Sequence, residues 1–529
     1  MLFPARFDSA RRFSRLMPRL APLIAVSLVA CAERTVPMPM DVVEASIGDV
    51  QQAILAGTTT CRMVVEAHLD RIDAYETLIN AITVLNPNAL TRADSIDTAV
   101  AAREQLGALF CVPMLVKDNF DTHDMVTTGG SIALRESIPP DDAFMVRRIR
   151  EAGAVVIAKT NMAEWAFSPE QTVSSSYGRT ANAYDTNFVP AGSSGGTASG
   201  VATSMGVAGM GSDTGNSIRG PASHLALFGI RSTIGLTSRD GVIPLIFDRD
   251  IAGPMARTVE DGTRLFNVVA GYDPADSLTV PGKREQNYME FLNLDGLQGK
   301  RIGVLRALVD HDDADAEIEA LFYRAIEDLI AAGATIVDPF EIPGFPALSE
   351  EIRGCASFRY DVGQYLKSLD EPPLLDVNEL LESGKYAPES KAGFEFFSQY
   401  PLDISPADRD PPCPIWPNHP LRNRLLANTI AAMDAVQLNA LIYPTWSNPP
   451  AHIDRAEAEY KGDNNQDLAP DTGLPAVTVP MGFWQDNLPA GLQFLGRPYS
   501  EGLLIELAYA YEQKTGHRRP PRGFGPVPN

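Results

Sequence analysis

A segment rich in glycine, serine and threonine holds two groups of serines that could take part in acyl transfer. Ser193 and Ser194 lie in the sequence GSSGG, and Ser217 follows in GSDTGNSIRGP. Acyl transfer needs a hydroxyl nucleophile beside backbone N–H groups that can stabilise an oxyanion. A flexible Gly/Ser linker is the alternative, but Val201 and Met205 alternate with small residues as in a buried segment. We therefore expect buried backbone beside a reaction centre.

One way to activate such a serine requires a histidine. GSSGG matches the nucleophile-elbow pattern G-x-S-x-G, with Ser194 as the nucleophile. This arrangement also needs an acid and a histidine later in the chain, and the candidates are His452 and His517, neither in a distinctive context. The histidines show no HExxH or paired spacing, so no metal site is expected.

A second way uses a lysine. Lys117 ends a short apolar run, residues 109–116, which is typical of a buried strand. A neutral lysine can act as a general base when its pKa falls by about three units, which corresponds to roughly 4 kcal/mol. A bridging serine such as Ser193 could then carry the proton between Ser217 and Lys117. For Lys117 alone, the alternative is an ammonium that reaches solvent at the sheet edge.

Helical and strand patterns alternate along the chain. The predicted helices include 144–152 and 316–332, and the predicted strands include 154–158, 301–305 and 334–337. This alternation predicts an α/β fold with a central sheet and helices on both faces. An earlier helix, which starts near residues 58–60, is expected to expose His68. The proline-rich segment 340–421 is an insertion that either covers a substrate cleft or forms a structural flap.

The amino terminus has the features of an export signal. Five arginines precede the apolar run 20–30, which is shorter than the roughly 20 residues that a membrane span requires. The run ends in Leu-Val-Ala-Cys31, which resembles a bacterial lipobox and predicts removal of residues 1–30 and lipidation of Cys31. An ordinary signal peptide cleaved elsewhere is the alternative. We expect an exported protein, either periplasmic or a membrane-anchored lipoprotein.

Composition limits the possible partners and the redox state. The net charge of −23 disfavours nucleic acid, because an acidic surface repels phosphate. Export permits disulfides among the remaining cysteines, and buried free thiols and one disulfide are equally compatible with the sequence. These cysteines are Cys61, Cys111, Cys355 and Cys413.

Several ordered motifs resemble the amidase signature family. They are VPMLVKD (112–118), KTNMAE (159–164), GSSGG (192–196), GSDTGNSIRGP (211–221), GPMARTVED (253–261), YPT (443–445), GLPAVTVP (473–480) and GLQFLGRP (491–498). The similarity covers about residues 45–515. It implies one large amidase signature domain over residues 31–529, built on a central mixed β-sheet, with the catalytic core at about 110–262.

The resemblance implies a catalytic triad without histidine. Ser217 would attack the carbonyl carbon, Ser193 at a cis peptide bond would relay the proton, and Lys117 would be the base. The oxyanion hole would consist of the backbone amides of Thr214, Gly215, Asn216 and Ser217. The expected supports of the nucleophile loop are Asp213, Arg219 and Ser194.

Two side chains near the triad are expected to contact substrate, Met162 and Asn216. Asn216 stands where glycine is common in the family, so it either contacts substrate or simply tolerates the backbone angle. Ser232 replaces a usual proline, and Thr197 replaces a usual serine. None of these departures affects the triad itself.

The sequence therefore predicts an amidase that hydrolyses the C–N bond of a small-molecule or peptide amide through an acyl-enzyme at Ser217. No cofactor is expected. Hydrolysis of esters or carbamates on the same triad, and a catalytically silent binding protein on this fold, are the alternatives. The family also contains the subunit that supplies ammonia for aminoacyl-tRNA synthesis, which export and acidity disfavour. The sequence does not predict the oligomeric state.

Overall fold

An eleven-stranded mixed β-sheet organises the chain in this computed structural model, which describes residues 36–352 and 355–527. The predicted signal peptide, residues 1–30, and Cys31 lie outside the described residues. From Pro37 onward the chain forms one compact unit. No helix in the described ranges is both long and apolar enough to cross a membrane.

The strands are β1 (Ile82–Leu85), β2 (Pro113–Lys117), β3 (Val155–Thr160), β4 (Val173–Ser174), β5 (Gly178–Arg179), β6 (Ala208–Asp213), β7 (Phe228–Arg231), β8 (Ile251–Ala256), β9 (Arg301–Leu305), β10 (Thr335–Phe340), β11 (Ala440–Pro444), β12 (Ala476–Trp484) and β13 (Leu488–Leu495). The large sheet has the order β1-β3-β2-β6-β8-β7-β12-β13-β11-β9-β10, and β4 pairs with β5 separately. Strands β3, β2 and β6 run parallel, as do β11, β9 and β10, and the other pairings are antiparallel.

The α-helices are α1 (Ile47–Leu55), α2 (Cys61–Ile79), α3 (Ala89–Ala102), α4 (Phe144–Glu151), α5 (Gly195–Ala202), α6 (Arg219–His224), α7 (Val259–Val269), α8 (Ala316–Ala331), α9 (Ala347–Glu351), α10 (Phe358–Ser368), α11 (Asn378–Ser383), α12 (Lys391–Phe397), α13 (Pro420–Ala435), α14 (Ala456–Glu459), α15 (Leu468–Thr472) and α16 (Glu501–Thr515). Short 3-10 helices lie at Ile132–Leu134, Glu164–Ala166, Tyr288–Phe291, Arg306–Leu308, Pro388–Ser390, Pro406–Asp408 and Asn464–Gln466.

Helices flank the sheet and bury it in two large apolar clusters. One cluster joins α1–α5 to β1, β2, β3 and β6, and the other joins α7, α8, α13 and α16 to β7 and β9–β13. Strands β2, β3 and β6 are buried along their whole length, as parallel strands covered on both faces usually are, and each begins with apolar or small residues and ends in polar ones. The predicted α/β fold with a central mixed sheet is confirmed.

The insertion 340–421 packs on loops of the catalytic core. Its helix α10 places Phe358 in edge contact with Trp165, with ring centroids 5.9 Å apart. The backbone N–H of Ala387 donates to Glu164 Oε2 at 2.7 Å. The Tyr365 hydroxyl donates a hydrogen bond to Asp121 Oδ1 at 2.8 Å, and Asp121 lies four residues after Lys117 in the sequence. These contacts make the segment a packed cover of the core loops, and cleft coverage stays a prediction.

Two expectations about individual residues are wrong. His68 is buried, because its face of α2 packs against the segment that holds Ser204, whose carbonyl oxygen lies 3.1 Å from His68 Nδ1. The cysteines form two disulfides rather than one or none, because packing brings the members of each pair together. The bonds are Cys61–Cys111 and Cys355–Cys413.

Candidate active site

Lys117 lies at the carboxyl end of β2, between the parallel neighbours β3 and β6. Its Nζ atom donates to Ser193 Oγ at 2.7 Å and to Ser212 Oγ at 2.8 Å. The side chain is completely buried, so the interpretation as a solvent-reaching lysine is wrong. Burial lowers the pKa of Lys117 to about 7, although the charges of Asp213 and Asp250 act to raise it. The neutral amine is therefore accessible near neutral pH.

Ser193 follows the cis peptide bond between Gly192 and Ser193, as the family resemblance implied. Glycine is required at position 192 because a Cβ there would lie 2.4 Å from the carbonyl oxygens of both Ser168 and Gln171. The Gly192 N–H donates to the Pro169 carbonyl at 2.9 Å. This close packing fixes the turn that presents the Ser193 hydroxyl to Lys117.

Ser217 lies in the loop that connects β6 to α6, and 4% of its surface is exposed. Its Oγ atom donates to Asn216 Oδ1 at 3.3 Å. Within the described ranges, no hydrogen bond joins Ser217 to Ser193, and nothing accepts a hydrogen bond from the backbone N–H groups of residues 214–217. The Gln466 side chain packs closely on Gly215, since a Cβ there would lie 2.0 Å from Gln466 Oε1 and that side chain would have to move. Consecutive N–H groups beside a serine hydroxyl form a suitable environment for an oxyanion.

A buried ion cluster holds this loop in place. Asp213 accepts from the backbone N–H of Ile218 at 3.1 Å and from Arg219 Nε at 3.2 Å. Arg231 Nη1 also approaches Asp213 Oδ1, at 2.8 Å, and Arg219 Nη2 donates to the Gly215 carbonyl at 2.6 Å. Burial acts to raise the pKa of Asp213, but the two guanidinium groups hold it well below its usual range. The charges therefore tie the end of β6 to the start of α6.

The other predicted site residues have internal partners. Ser194 Oγ donates to the Ser212 carbonyl at 3.2 Å, which links the two serine segments. Met162 is buried, with 1% of its surface exposed. Asn216 Nδ2 donates to the Pro169 carbonyl at 3.0 Å and to Asp463 Oδ2 at 2.8 Å. Substrate contact by Met162 or Asn216 stays a prediction.

The histidine-dependent arrangement at Ser194 is not formed. His452 Nδ1 lies 3.0 Å from Glu459 Oε2, and His517 Nε2 lies 3.1 Å from Asp328 Oδ2. Both histidines therefore pair with carboxylates outside the serine segments, and neither hydrogen-bonds to Ser194 within the part of the chain that the structure describes.

One group of potential metal ligands lies outside this centre. His123, Asp124 and Asp142 bring ligand atoms within 4.8 Å of one another. However, Arg150 already pairs with both carboxylates, with Nη2 2.6 Å from Asp124 Oδ1 and Nε 3.2 Å from Asp142 Oδ2. A guanidinium between the two acids supplies the positive charge that a metal ion would otherwise bring.

Several neighbours of the candidate triad are not among the residues that the sequence predicts for the site. Ser212 and Asn119 belong to the quoted motifs or directly follow them, and Asn119 Nδ2 donates to Ser212 Oγ at 3.0 Å. Ser212 directly precedes Asp213, and Asn119 lies two residues after Lys117. This closeness in sequence could have identified both as neighbours of the site. Asp250, which accepts from Thr214 Oγ1 at 2.5 Å, and Arg231 gave no signal because only tertiary packing brings them to the loop.

Comparisons with known proteins agree with this geometry. A family model described as Amidase matches residues 63–505. A glutamyl-tRNA(Gln) amidotransferase subunit from Synechococcus sp. is 33% identical over 499 residues, which cover 91% of this chain and 100% of that protein. A probable amidase from Arabidopsis thaliana is 29% identical over 533 residues, covering 95% of this chain and 96% of its own.

Solved structures point in the same direction. The native peptide amidase from Stenotrophomonas maltophilia superposes with a TM-score of 0.76 at 34% identity, covering 90% of this chain and 98% of that one. An amidase family protein from Bacillus anthracis gives a TM-score of 0.78 at 28% identity, covering 91% and 93%. With the matched motifs, sheet and family model together, the chain belongs to the amidase signature family.

Proposed function

We propose that this protein hydrolyses the C–N bond of a carboxamide through an acyl-enzyme on Ser217, with Ser193 as proton relay and Lys117 as base. One observation carries the proposal: the 2.7 Å contact between Lys117 Nζ and Ser193 Oγ inside a fully buried site. A buried amine whose pKa lies near 7 is suited to accept a proton at neutral pH. Membership of an amidase family supports the reaction class.

In the acylation step, Ser217 Oγ forms a bond to the carbonyl carbon. Its proton passes to Ser193, whose own proton passes to Lys117 Nζ. The carbonyl oxygen gains negative charge and is stabilised by the backbone N–H groups of residues 214–217. The hydrogen bond from Ser217 to Asn216 must be replaced by one to Ser193 when substrate binds, because catalytic hydrogen bonds often tighten only in the complex.

The tetrahedral intermediate then collapses. The proton on Lys117 returns through Ser193 to the leaving nitrogen as the C–N bond breaks, which releases ammonia or an amine. Water then attacks the acyl ester on Ser217 and gives its proton through Ser193 to Lys117. The proton returns along the same path to Ser217 Oγ as the ester C–O bond breaks, which releases a carboxylic acid and restores the triad. Splitting the hydrolysis into two steps replaces one difficult displacement by two easier ones.

The similarity to a peptide amidase supports amidated peptides among the substrates. Esters and carbamates remain alternatives, because they pass through the same kind of acyl intermediate. A second candidate is the role of an amidotransferase component, favoured by the 33% identity to the Synechococcus protein. The net charge of −23 is unfavourable for contact with tRNA.

The test combines turnover with covalent labelling. Product release is measured over a panel of substrates: ammonia or amine from a simple carboxamide, an amidated peptide, an aryl amide and a carbamate, and alcohol from an ester. Phenylmethylsulfonyl fluoride labels the active serine, which is then located by peptide mass spectrometry. We expect turnover and an adduct at Ser217, and Ser217→Ala should lower kcat by a factor on the order of 10⁴ or more.

Ser194→Ala is the matched control, because Ser194 lies in the same segment and only donates to a carbonyl. It should keep the adduct at Ser217 and lower kcat by less than about tenfold, because it removes only the neutral hydrogen bond that links the two serine segments. An adduct at Ser194 would instead support the nucleophile elbow, and an inert, unlabelled protein would support the silent binding protein.

We also propose that the protein is exported and anchored through Cys31. The apolar run before Cys31 and the two disulfides support this location, because disulfides persist in oxidising compartments. Membrane fractionation of the full chain and of Cys31→Ser tests it. The anchor predicts that the variant moves to the soluble fraction, and unchanged partitioning would rule the anchor out.

A further inference from the structure

The side chain of Asn216 joins the two turns that carry the candidate catalytic serines. Its Nδ2 donates to the Pro169 carbonyl at 3.0 Å, and the same carbonyl accepts from the Gly192 N–H at 2.9 Å. Pro169 therefore connects the residue before Ser217 to the residue before Ser193. A glycine at position 216 could not make this connection.

The partners of Asn216 also fix which way its carboxamide points. Nδ2 faces the Pro169 carbonyl and, at 2.8 Å, Asp463 Oδ2, and an ionised carboxylate and a carbonyl can only accept. A flipped amide would place its oxygen against these two acceptors. The observed orientation leaves Asn216 Oδ1 to accept the Ser217 hydroxyl at 3.3 Å.

Asp463 is itself held firmly by the segment around it. Its Oδ1 atom accepts from the backbone N–H and the side-chain Nδ2 of Asn465, both at 3.1 Å. Its Oδ2 atom accepts from Tyr460 Oη at 3.1 Å and from Gln466 Nε2 at 3.3 Å. Gln466 also lies against Gly215, so this segment packs directly on the nucleophile loop.

We propose that Asp463 is a positioning residue for the nucleophile, which acts by orienting the Asn216 carboxamide that ties the Ser217 loop to the Ser193 turn through the Pro169 carbonyl. The inference rests on the proposed nucleophilic role of Ser217. It assigns Asn216 a structural link between the two serine turns rather than a contact to substrate. The effect of Asp463 on reactivity then depends on the presence of Asn216.

A double-mutant cycle between positions 463 and 216 tests this dependence. The readouts are the second-order rate of sulfonyl fluoride labelling at Ser217, and kcat and KM on an amide that the protein turns over. Asp463→Ala should lower the labelling rate and kcat about tenfold, with KM changed less than about twofold. In the Asn216→Gly background, Asp463→Ala should change both rates less than about twofold.

Tyr460→Phe is the matched control. It removes one donor from the same carboxylate oxygen and leaves the Asn216 contact in place, so it should change both rates less than about twofold. If Asp463→Ala does not fold, the isosteric Asp463→Asn completes the cycle. Its carboxamide brings N–H donors against the donors around position 463, so a loss of at least about threefold is expected, again only with Asn216 present.

The outcomes distinguish a failure of the positioning role of Asp463 from a failure of the proposed nucleophilic role of Ser217. Equal losses from Asp463→Ala in both backgrounds, or no loss with Asn216 present, overturn the positioning role while the labelling of Ser217 stands. A large rise in KM with kcat unchanged also overturns it, because that result places the Asp463–Asn216 pair at the substrate. No adduct at Ser217 in the wild type removes the proposed function and this inference together.

Discussion

Two buried lysines on neighbouring strands have different surroundings. Lys117 ends β2 and Lys159 lies near the end of β3, and neither exposes any surface. In the parallel pairing, Lys117 lies opposite Thr160 and Val116 lies opposite Lys159. Because side chains alternate along a strand, the two ammonium groups project to opposite faces of the sheet.

Their partners differ in charge. Lys117 Nζ donates to the hydroxyls of Ser193 and Ser212, whereas Lys159 Nζ donates to the Phe120 carbonyl at 2.7 Å and lies 3.5 Å from Asp118 Oδ1. Burial lowers the pKa of both lysines, but the direct contact with Asp118 favours the ammonium form of Lys159. Hydroxyl partners leave an amine that can accept a proton, and a carboxylate partner makes the lysine part of an ion pair.

The largest expected effect follows from removing the lysine with hydroxyl partners. Lys117→Ala should lower kcat on amides by about 10²–10⁴, the range for loss of a general base. The thermal unfolding midpoint of the variant, measured alongside the rates, shows that the loss is not due to unfolding. An undiminished kcat would show that Lys117 is not the base and would remove the contrast between the two lysines.

The second prediction concerns the free energy of unfolding, for which the larger loss is expected at Lys159 rather than at Lys117. Lys159→Met should destabilise the fold by about 3–5 kcal/mol, because it leaves the Asp118 carboxylate buried without its cation. Lys117→Met should change the free energy of unfolding by less than about 2 kcal/mol, because it removes a costly buried amine as well as two hydrogen bonds. Urea unfolding of both variants at pH 7 measures the difference.

The control for Lys159 is the double variant Lys159→Met with Asp118→Asn. It removes the unpaired charge and should recover part of the lost stability, since a neutral carboxamide still suits the Thr128 hydroxyl that contacts Asp118. Equal losses from Lys117→Met and Lys159→Met would contradict the distinction between a base and an ion-pair member.

The third prediction is a pH dependence set by Lys117. Only the neutral amine can accept a proton, so kcat/KM should rise about tenfold per unit as pH increases below about 7, and level off above it. The folded-state pKa lies below the ordinary value of about 10.4, so the unfolded chain binds more protons between about pH 7 and 10. This group therefore makes the protein more stable as pH rises through that window.

Labelling of Ser217 by the sulfonyl fluoride should follow the same acid limb, which separates the titration of the enzyme from that of the substrate. Lys159→Arg is a matched variant that keeps a cation near Asp118. The acid limb of its kcat/KM profile should stay at about pH 7. If the acid limb of the wild-type kcat/KM profile instead lies far toward pH 10, Lys117 keeps an ordinary pKa.

Whether the sequence predicts the surroundings of these lysines depends on how far apart in the chain the interacting residues lie. The motifs around Lys117, Ser193 and Ser217 are visible in the local sequence and predict that these residues meet, and Lys117 and Ser193 do so in the structure. The sequence marks Lys159 only as part of a motif, because its pairing with Asp118 depends on the register of two strands. The burial of His68, the disulfide pairs and the contact between Asn216 and Asp463 likewise depend on long-range packing that spacing cannot show.

The smallest expected effect comes from the second hydroxyl partner of Lys117. Ser212→Ala removes an acceptor that stabilises the ammonium, so the pKa of Lys117 falls further and the acid limb should move down by about one unit, since a hydrogen bond to a charged group contributes about 1.5–3 kcal/mol. The plateau of kcat should fall by only a few-fold, because Ser193 keeps its contact with Lys117. The equivalent change at the other lysine is Thr127→Val, which removes the hydroxyl that accepts from Lys159 Nζ at 2.8 Å. It should leave the limb unmoved, and a shift in that variant would mean that the two lysines titrate as one system.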